Sequence, residues 1–149
     1  MNSVRFFAVL LLPLVGIFIV DQSIKQIFLD GFRWYSECID LILVFNKGVA
    51  FSMFAFLEEN LKYIQLVLIA GVFGYIVYLK KLCYAFPAGI VLGAGLSNIY
   101  DRFIHGGVVD MVYWHCGFDF AVFNFADVMI DVAVVWFLLL NYKPKLCKS

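Results

Sequence analysis

Four apolar segments, each about as long as a bilayer is thick, constrain this chain more than any other feature. The hydrocarbon core of a membrane requires a helix of about 20 mainly apolar residues. The segments are residues 4–28, 61–79, 82–100 and 123–142. Because 64% of the 149 residues are hydrophobic and only 15% are charged, a soluble core of this size could not bury them. The sequence therefore predicts one domain over residues 1–149, a mainly α membrane protein with four transmembrane helices.

The distribution of charge predicts how the chain lies in the membrane. With four spans, both termini and the Lys80-Lys81 turn fall on one side. That side carries six of the eleven basic residues and none of the eleven acidic ones. The positive-inside rule assigns such a side to the cytoplasm, so residues 30–60 and 101–122 are expected to face outward. The formal net charge is zero, so no general attraction to nucleic acid is expected.

The outward segments contain short stretches that are typical of β-structure. Residues 39–45 are rich in β-branched and aromatic side chains, and residues 108–113 and 118–123 have a similar character. Further apolar side chains follow the first stretch as far as Phe56. We therefore expect a small extracytoplasmic β platform on the membrane surface. Simple interfacial anchoring by aromatic side chains is the alternative explanation.

The cysteines and histidines do not follow a metal-binding pattern. The four cysteines stand far apart in the sequence, at Cys38, Cys83, Cys116 and Cys147. We predict that they are unpaired thiols. His105 and His115 also lack a convincing ligand spacing, so neither a metal nor a cofactor is expected.

Polar side chains gather at the outward ends of the predicted helices, where each is costly in lipid and is therefore a functional candidate. They are Asp21, Lys25, Asn98, Asp101, Arg102, Asp110, Asn124 and Asp127. Asp21 and Lys25 share a helix face four residues apart, which predicts a structural ion pair. Asp101 and Arg102 could form another charge pair. The two amides could instead join helices through hydrogen bonds.

Asp110 and Asp127 are harder to explain by structure alone, because each stands in an otherwise apolar stretch. Two carboxylates in a low-dielectric site repel each other when both are ionised, so such a pair shares a proton. It can then activate a water molecule as general base and general acid. We predict a catalytic aspartic dyad. A proton transporter, a non-catalytic assembly protein and a lipid-modifying enzyme are the alternatives, although acids that collect at one face argue against transport.

Five short motifs stand in order along the chain. They are Asp21-Gln22-Ser23-Ile24-Lys25, Asn46-Lys47-Gly48-Val49-Ala50-Phe51, Asn98-Ile99-Tyr100-Asp101-Arg102, Val108-Val109-Asp110 and Phe123-Asn124-Phe125-Ala126-Asp127. In these motifs, and over nearly its whole length, the chain resembles the bacterial lipoprotein signal peptidases (signal peptidase II). Any one motif is weak, but all five in this order and topology are strongly specific.

The resemblance implies a single integral membrane peptidase domain with an aspartic mechanism. Its substrates would be diacylglyceryl-modified prolipoproteins, cut just before the lipidated cysteine, with Asp110 and Asp127 as the catalytic residues. The residues that bind substrate or shape the site would be Asn46, Gly48, Asn98, Asp101, Arg102, Asn124 and Ala126. The protein would be a monomer among the lipids of the bacterial inner (cytoplasmic) membrane. Both termini would be cytoplasmic and the active site would lie at the extracytoplasmic face.

The sequence departs from the family pattern at a few positions. The first motif exchanges the family's variable position with its hydroxyl residue, and small residues replace one another between Gly93 and Asn98. Met111 stands where the family often has an aromatic residue. Asp131 is unusual, because it lies one helical turn beyond Asp127 on the same face. It could have its own partner or influence the protonation of Asp127.

Overall fold

The computed structural model describes residues 3–48 and 58–147, and four long helices dominate it. In chain order the elements are α1 (Ser3–Leu29), β1 (Ile39–Asn46), α2 (Glu58–Leu79), α3 (Leu82–Ile104), β2 (Val108–Trp114), α4 (Phe125–Tyr142) and a 3₁₀ helix (Pro144–Cys147). Within the described ranges, four helices are long and apolar enough to cross a membrane. The predicted four-helix membrane fold with a small β-structure is therefore confirmed.

Helix α3 lies at the centre of the bundle and packs against the other three helices. Gly89 and Gly93 bring α3 very close to α1, because a Cβ atom at either position would collide with the main-chain oxygen of Leu10 or Leu14. Small residues allow such close contact between helices in lipid, where no hydrophobic force drives the helices together. The crossing of α1 and α3 is therefore set by the absence of side chains at two positions of α3.

The two strands pair antiparallel and cover one end of the bundle, which we call the sheet end. Their register pairs Asn46 with Val108 and Val44 with Asp110, and it shifts at a bulge after Leu41. Side chains alternate across a strand. Val109 packs on the α1 side of β2 with Met111, so Asp110 between them projects toward the opposite side.

The third predicted strand, residues 118–123, is not a strand. Only an isolated bridge joins Phe123 to Val112 within the described chain. The Phe120 N–H donates to the Trp114 main-chain oxygen at 2.9 Å and the Phe123 N–H donates to that of Val112 at 3.0 Å. These separate contacts with β2 do not form the continuous ladder that defines a strand. The part of the predicted platform between residues 49 and 57, which includes Ala50, Phe51 and Phe56, lies outside the described residues.

The prediction that the cysteines are unpaired is wrong. Cys38 forms a disulfide with Cys116, and Cys83 forms one with Cys147. The partners are 78 and 64 residues apart in sequence, so sequence spacing gives no sign of either bond. Antiparallel pairing places the start of β1 beside the end of β2, and the 3₁₀ helix after α4 returns to the start of α3.

Candidate active site

Lys25 is the centre of a buried ionic cluster at the sheet end. Its ammonium group lies 2.6 Å from a carboxylate oxygen of Asp21 and 2.6 Å from one of Asp101, and it donates a 2.9 Å hydrogen bond to Asn98. The side chains of Asp21, Lys25 and Asp101 are 0% exposed. Buried ions are tolerated only when the remaining donors and acceptors are also satisfied, so the surroundings of the two carboxylates matter.

Both carboxylates of this cluster bind other elements of the fold. Asp21 accepts hydrogen bonds from the Ser97 hydroxyl at 2.7 Å and from the main-chain N–H of Ala126 at 2.9 Å. Asp101 accepts one from the main-chain N–H of Val109 at 3.1 Å. The Ala126 contact also places a negative charge at the amino end of α4, where the helix dipole favours it. The cluster therefore ties α1, α3, β2 and α4 together directly behind the two candidate catalytic residues.

Asp110 projects from β2 and is only 1% exposed. Its two carboxyl oxygens accept hydrogen bonds from the side-chain amides of Asn124 at 2.7 Å and Asn46 at 3.0 Å. Burial raises the pKa of Asp110 to about 7, and the nearby charge of Asp127 also raises it, while the two amide hydrogen bonds act in the opposite direction. Asp110 can therefore hold a proton near neutral pH.

Asp127 is held by the first turn of α4. Asn124 is the N-cap residue, and its side chain accepts a 2.9 Å hydrogen bond from the Asp127 N–H, while the Asp127 carboxylate accepts one from the Asn124 N–H at 3.2 Å. This reciprocal capping box satisfies main-chain donors at the helix start. Asn98 of α3 donates a further 2.9 Å hydrogen bond to the Asp127 carboxylate. Asn124 thus bonds to both candidate catalytic residues.

The two carboxyl groups line the same cavity, which has a volume of about 520 Å³. Side chains of Asn46, Asn98 and Arg102 line it as well, and much of the remaining wall is apolar. Cavities of a few hundred cubic ångströms with a few converging polar groups are typical of binding sites. Paired carboxyls in such a place can carry out general acid–base chemistry on a bound substrate.

Arg102 holds the chain after β1 against the cavity. Its guanidinium donates hydrogen bonds to the main-chain oxygens of Lys47, at 3.1 Å, and Gly48. The main-chain N–H of Gly48 in turn donates to the Asn46 side chain at 3.0 Å. The considered pairing of Asp101 with Arg102 is replaced by the ion pair of Asp101 with Lys25. Within the described part of the chain, the buried Nε of Arg102 has no hydrogen-bond partner.

The structure brings the predicted site residues together in two layers. The residues on the cavity wall are Asn46, Gly48, Asn98, Arg102, Asp110 and Asp127. Asn124, Asp101 and Ala126 lie behind them and bond to the wall residues or to the Lys25 cluster.

Sequence reasoning missed several polar side chains of the site. Gln22 donates a 2.7 Å hydrogen bond to Asp101 and a 2.8 Å bond to Ser97. Gln65 lines the cavity itself. Asp131, which the sequence singled out without settling its role, lines the cavity too. Gln65 could have been noticed, because it is an amide within the apolar span of α2. The role of Ser97 could not have been predicted from the sequence, because serine is common in packed membrane helices.

Comparisons with known proteins agree with this architecture. A family model described as signal peptidase (SPase) II matches residues 14–143. A lipoprotein signal peptidase of Sulfurimonas denitrificans is 76% identical over 99% of this chain and 97% of its own length. One of a Sulfurovum species is 59% identical over 93% and 95% of the two chains, and one of Helicobacter pylori (strain P12) is 56% identical over 89% and 88%.

A solved structure also matches the fold. It is a bacterial membrane enzyme determined by the in meso method at 2.3 Å resolution, with a TM-score of 0.77 and 20% sequence identity. The match covers 93% of this chain and 90% of that one, and at this identity it supports the fold alone. The family model matches most of the chain, and the three relatives are 56% to 76% identical to it over most of their length. The chain therefore belongs to the signal peptidase II family of proteases.

Proposed function

We propose that this protein is an aspartic endopeptidase that removes signal peptides from diacylglyceryl-modified prolipoproteins, cutting just before the lipidated cysteine. The observation that carries this proposal is the placement of Asp110 and Asp127. One comes from a strand and the other from a helix, Asn124 bonds to both, and both line one cavity. The names of the relatives, lipoprotein signal peptidases, support the substrate class.

The proposed reaction is hydrolysis of a peptide bond by one shared proton and one water molecule. The ionised carboxylate accepts a proton from water while the oxygen attacks the scissile carbonyl carbon. The protonated carboxyl, for which Asp110 is suited by its pKa of about 7, donates its proton to the carbonyl oxygen. Collapse of the tetrahedral intermediate breaks the C–N bond, and a proton passes to the leaving amine of the cysteine. The dyad finishes with one proton, ready for another cycle.

The other site residues would position the peptide. Substrate main-chain groups cannot remain unpaired in lipid. The Nε of Arg102 is buried without a partner in the described chain, and it can donate to a substrate carbonyl oxygen. Asn98 and Asn46 keep the carboxyls in place through hydrogen bonds of 2.9 and 3.0 Å. The Lys25 cluster supports this arrangement from behind, as a structural and not a catalytic group.

We further propose the bacterial inner membrane as the location, with both termini cytoplasmic and the sheet end extracytoplasmic. The bias of basic residues supports this orientation. A signal peptide is itself an apolar helix whose cleavage point lies near the outer surface of the membrane. A dyad at the sheet end would meet that point, and the acyl chains of the modified cysteine would stay in the lipid. We propose that one monomer, folded as a single domain, is sufficient.

The test is cleavage of a synthetic diacylated prolipoprotein in detergent by the wild type and by Asp110→Asn and Asp127→Asn. Asparagine has the shape of aspartate but cannot act as the base. We expect cleavage before the modified cysteine by the wild type only, with all three proteins monodisperse and similar in thermal unfolding. Full activity in either variant, or no cleavage by well-folded wild type, would refute the proposal. A matched unlipidated precursor tests whether the lipid is required.

A further inference from the structure

Two polar side chains in the cavity take no part in the contacts described so far. Gln65 of α2 and Asp131 of α4 both line its wall. The Oε1 atom of Gln65 is buried and has no hydrogen-bond partner within residues 3–48 and 58–147. In the same ranges, Asp131 forms neither a hydrogen bond nor an ion pair. An amide and a carboxylate without partners are costly in an apolar span, and such groups are usually kept for a function.

Their positions place them beside the reacting groups and deeper in the bundle. Helices α2 and α4 both pack on α3, and these two side chains line the cavity from those two helices. Asp131 lies four residues after Asp127 on α4, which corresponds to about 6 Å along the helix axis. This displacement leads away from the sheet end. Its neighbours on the cavity wall, Val128 and Ile130, are apolar.

The chemistry of a substrate in this cavity indicates what these groups bind, and this step rests on the proposed function. A helical signal peptide must become extended at the bond that is cut, and the N–H groups of the extended residues then lose their helical carbonyl partners. Those N–H groups cannot remain unpaired in lipid. An extended chain rises about 3.3 Å per residue. A displacement of about 6 Å therefore corresponds to about two residues on the membrane-embedded side of the cut.

We propose that Gln65 and Asp131 form a hydrogen-bond acceptor subsite for the signal peptide, about two residues before the scissile bond. The subsite binds a donor of the extended segment, either a main-chain N–H group or a side-chain hydroxyl. It holds the peptide in register, so that the carbonyl to be attacked meets Asp110 and Asp127. Gln65 and Asp131 are thus substrate-binding residues that determine where the chain is cut.

The test uses matched diacylated prolipoprotein peptides in detergent. In one series, an ester replaces the amide at each of the four positions before the cut in turn, which removes a single N–H donor. In another, serine replaces alanine at the same positions. The enzymes are wild type, Gln65→Met, Asp131→Leu and Asp131→Asn, with Val134→Leu as a control at a lipid-exposed position of α4. The measured quantities are kcat/KM and the position of the cut.

We expect one ester position, two or three residues before the cut, to lower the wild-type kcat/KM about tenfold, as expected for the loss of one hydrogen bond to a charged group. Asp131→Leu should lose a similar factor on the amide peptide and no longer respond to the ester. Gln65→Met should show a smaller effect, while Asp131→Asn, which keeps an acceptor oxygen, should retain most activity. If the serine series shows this coupling instead, the donor is a hydroxyl.

Equal ester and serine responses in the wild type and in both apolar variants would overturn the subsite. A variant that shifts the pH profile of kcat/KM without changing those responses would also overturn it, because Asp131 would then act on the dyad and not on the peptide. If Asp131→Leu does not fold, Gln65→Met provides the apolar variant for the comparison, and Asp131→Asn serves as the variant that keeps an acceptor oxygen. Failure of the wild type to cut any peptide would instead refute the proposed function, so the two failures are distinguishable.

Discussion

At the residue scale, the buried carboxyl of Asp110 predicts how activity depends on pH. Burial raises its pKa to about 7, and the proposed reaction requires one proton on the dyad. Below about pH 7 Asp110 holds that proton, and above it the proton is lost and the dyad carries two charges. We therefore expect kcat/KM to fall as the pH rises through about 7, measured as cleavage of a diacylated peptide between pH 5 and 9.

A variant can show that this alkaline limb belongs to Asp110. The hydrogen bond from Asn46 lowers the pKa of Asp110, so Asn46→Ala should move the limb to higher pH. Asn141→Ala removes an exposed amide at the far end of α4 and should leave the limb in place. If the fall of kcat/KM occurs at the same pH in both variants, it reports the titration of a group other than Asp110.

Lys25 predicts a large effect on stability at the same scale. Its ammonium group is the buried counterion of two carboxylates, each 2.6 Å away. Lys25→Met keeps much of the side-chain volume but leaves Asp21 and Asp101 without that cation. We expect a loss of about 3–5 kcal/mol in unfolding free energy, measured by denaturation in detergent. Asp110→Asn should change the same quantity little, and an equal loss in both variants would contradict this division of roles.

At the element scale, the start of α4 has a structural and a functional half that can be separated. The side-chain oxygen of Asn124 caps the helix, whereas its Nδ2 group donates to Asp110. Serine is as good an N-cap as asparagine but lacks that donor. Asn124→Ser should therefore keep the cap but lose about 1–3 kcal/mol of unfolding free energy, because the buried oxygens of Asp110 and Asn98 lose this donor. It should also lower kcat/KM about tenfold or more. Asn124→Ala should lose both the helix cap and the donor to Asp110, so it should be less stable than Asn124→Ser. Equal stability of the two variants would exclude a capping role.

The crossing of α1 and α3 gives a second prediction for whole elements. A Cβ atom at Gly93 would collide with the main chain of Leu14, whereas Gly74 of α2 has open space around it. Gly93→Ala should destabilise the protein by about 1–3 kcal/mol through forced separation of the helices. Gly74→Ala should be neutral or stabilising by up to about 1 kcal/mol, because alanine favours a helix. Thermal unfolding of the two variants measures this difference. Equal stability changes in both would show that α1 and α3 can separate at Gly93 without a cost in free energy.

At the scale of the whole molecule, local patterns predicted the elements and failed where distant segments meet. Hydropathy and β-branched composition were enough to locate four helices and two strands, because those signals depend on neighbouring residues. The pairing of Cys38 with Cys116 and the partner of Asp101 depend on how the elements pack, which periodicity does not contain. The candidate site could be assembled because its motifs are short and ordered along the chain. Gln65 belongs to none of them and was missed.

The ionic cluster around Lys25 also has a consequence for how the chain is made. Lys25 emerges from the ribosome 73 residues before Asn98, and Asp101 follows still later. At ordinary rates of synthesis this delay lasts roughly 4 to 15 seconds. During that time Asp21, one turn earlier in the same helix and 2.6 Å from Lys25 in the finished fold, can neutralise the lysine locally. Helix α1 can thus enter the membrane with no net charge at this point. Lys25 gains its second carboxylate partner, Asp101, only when α3 has been made and packs against α1.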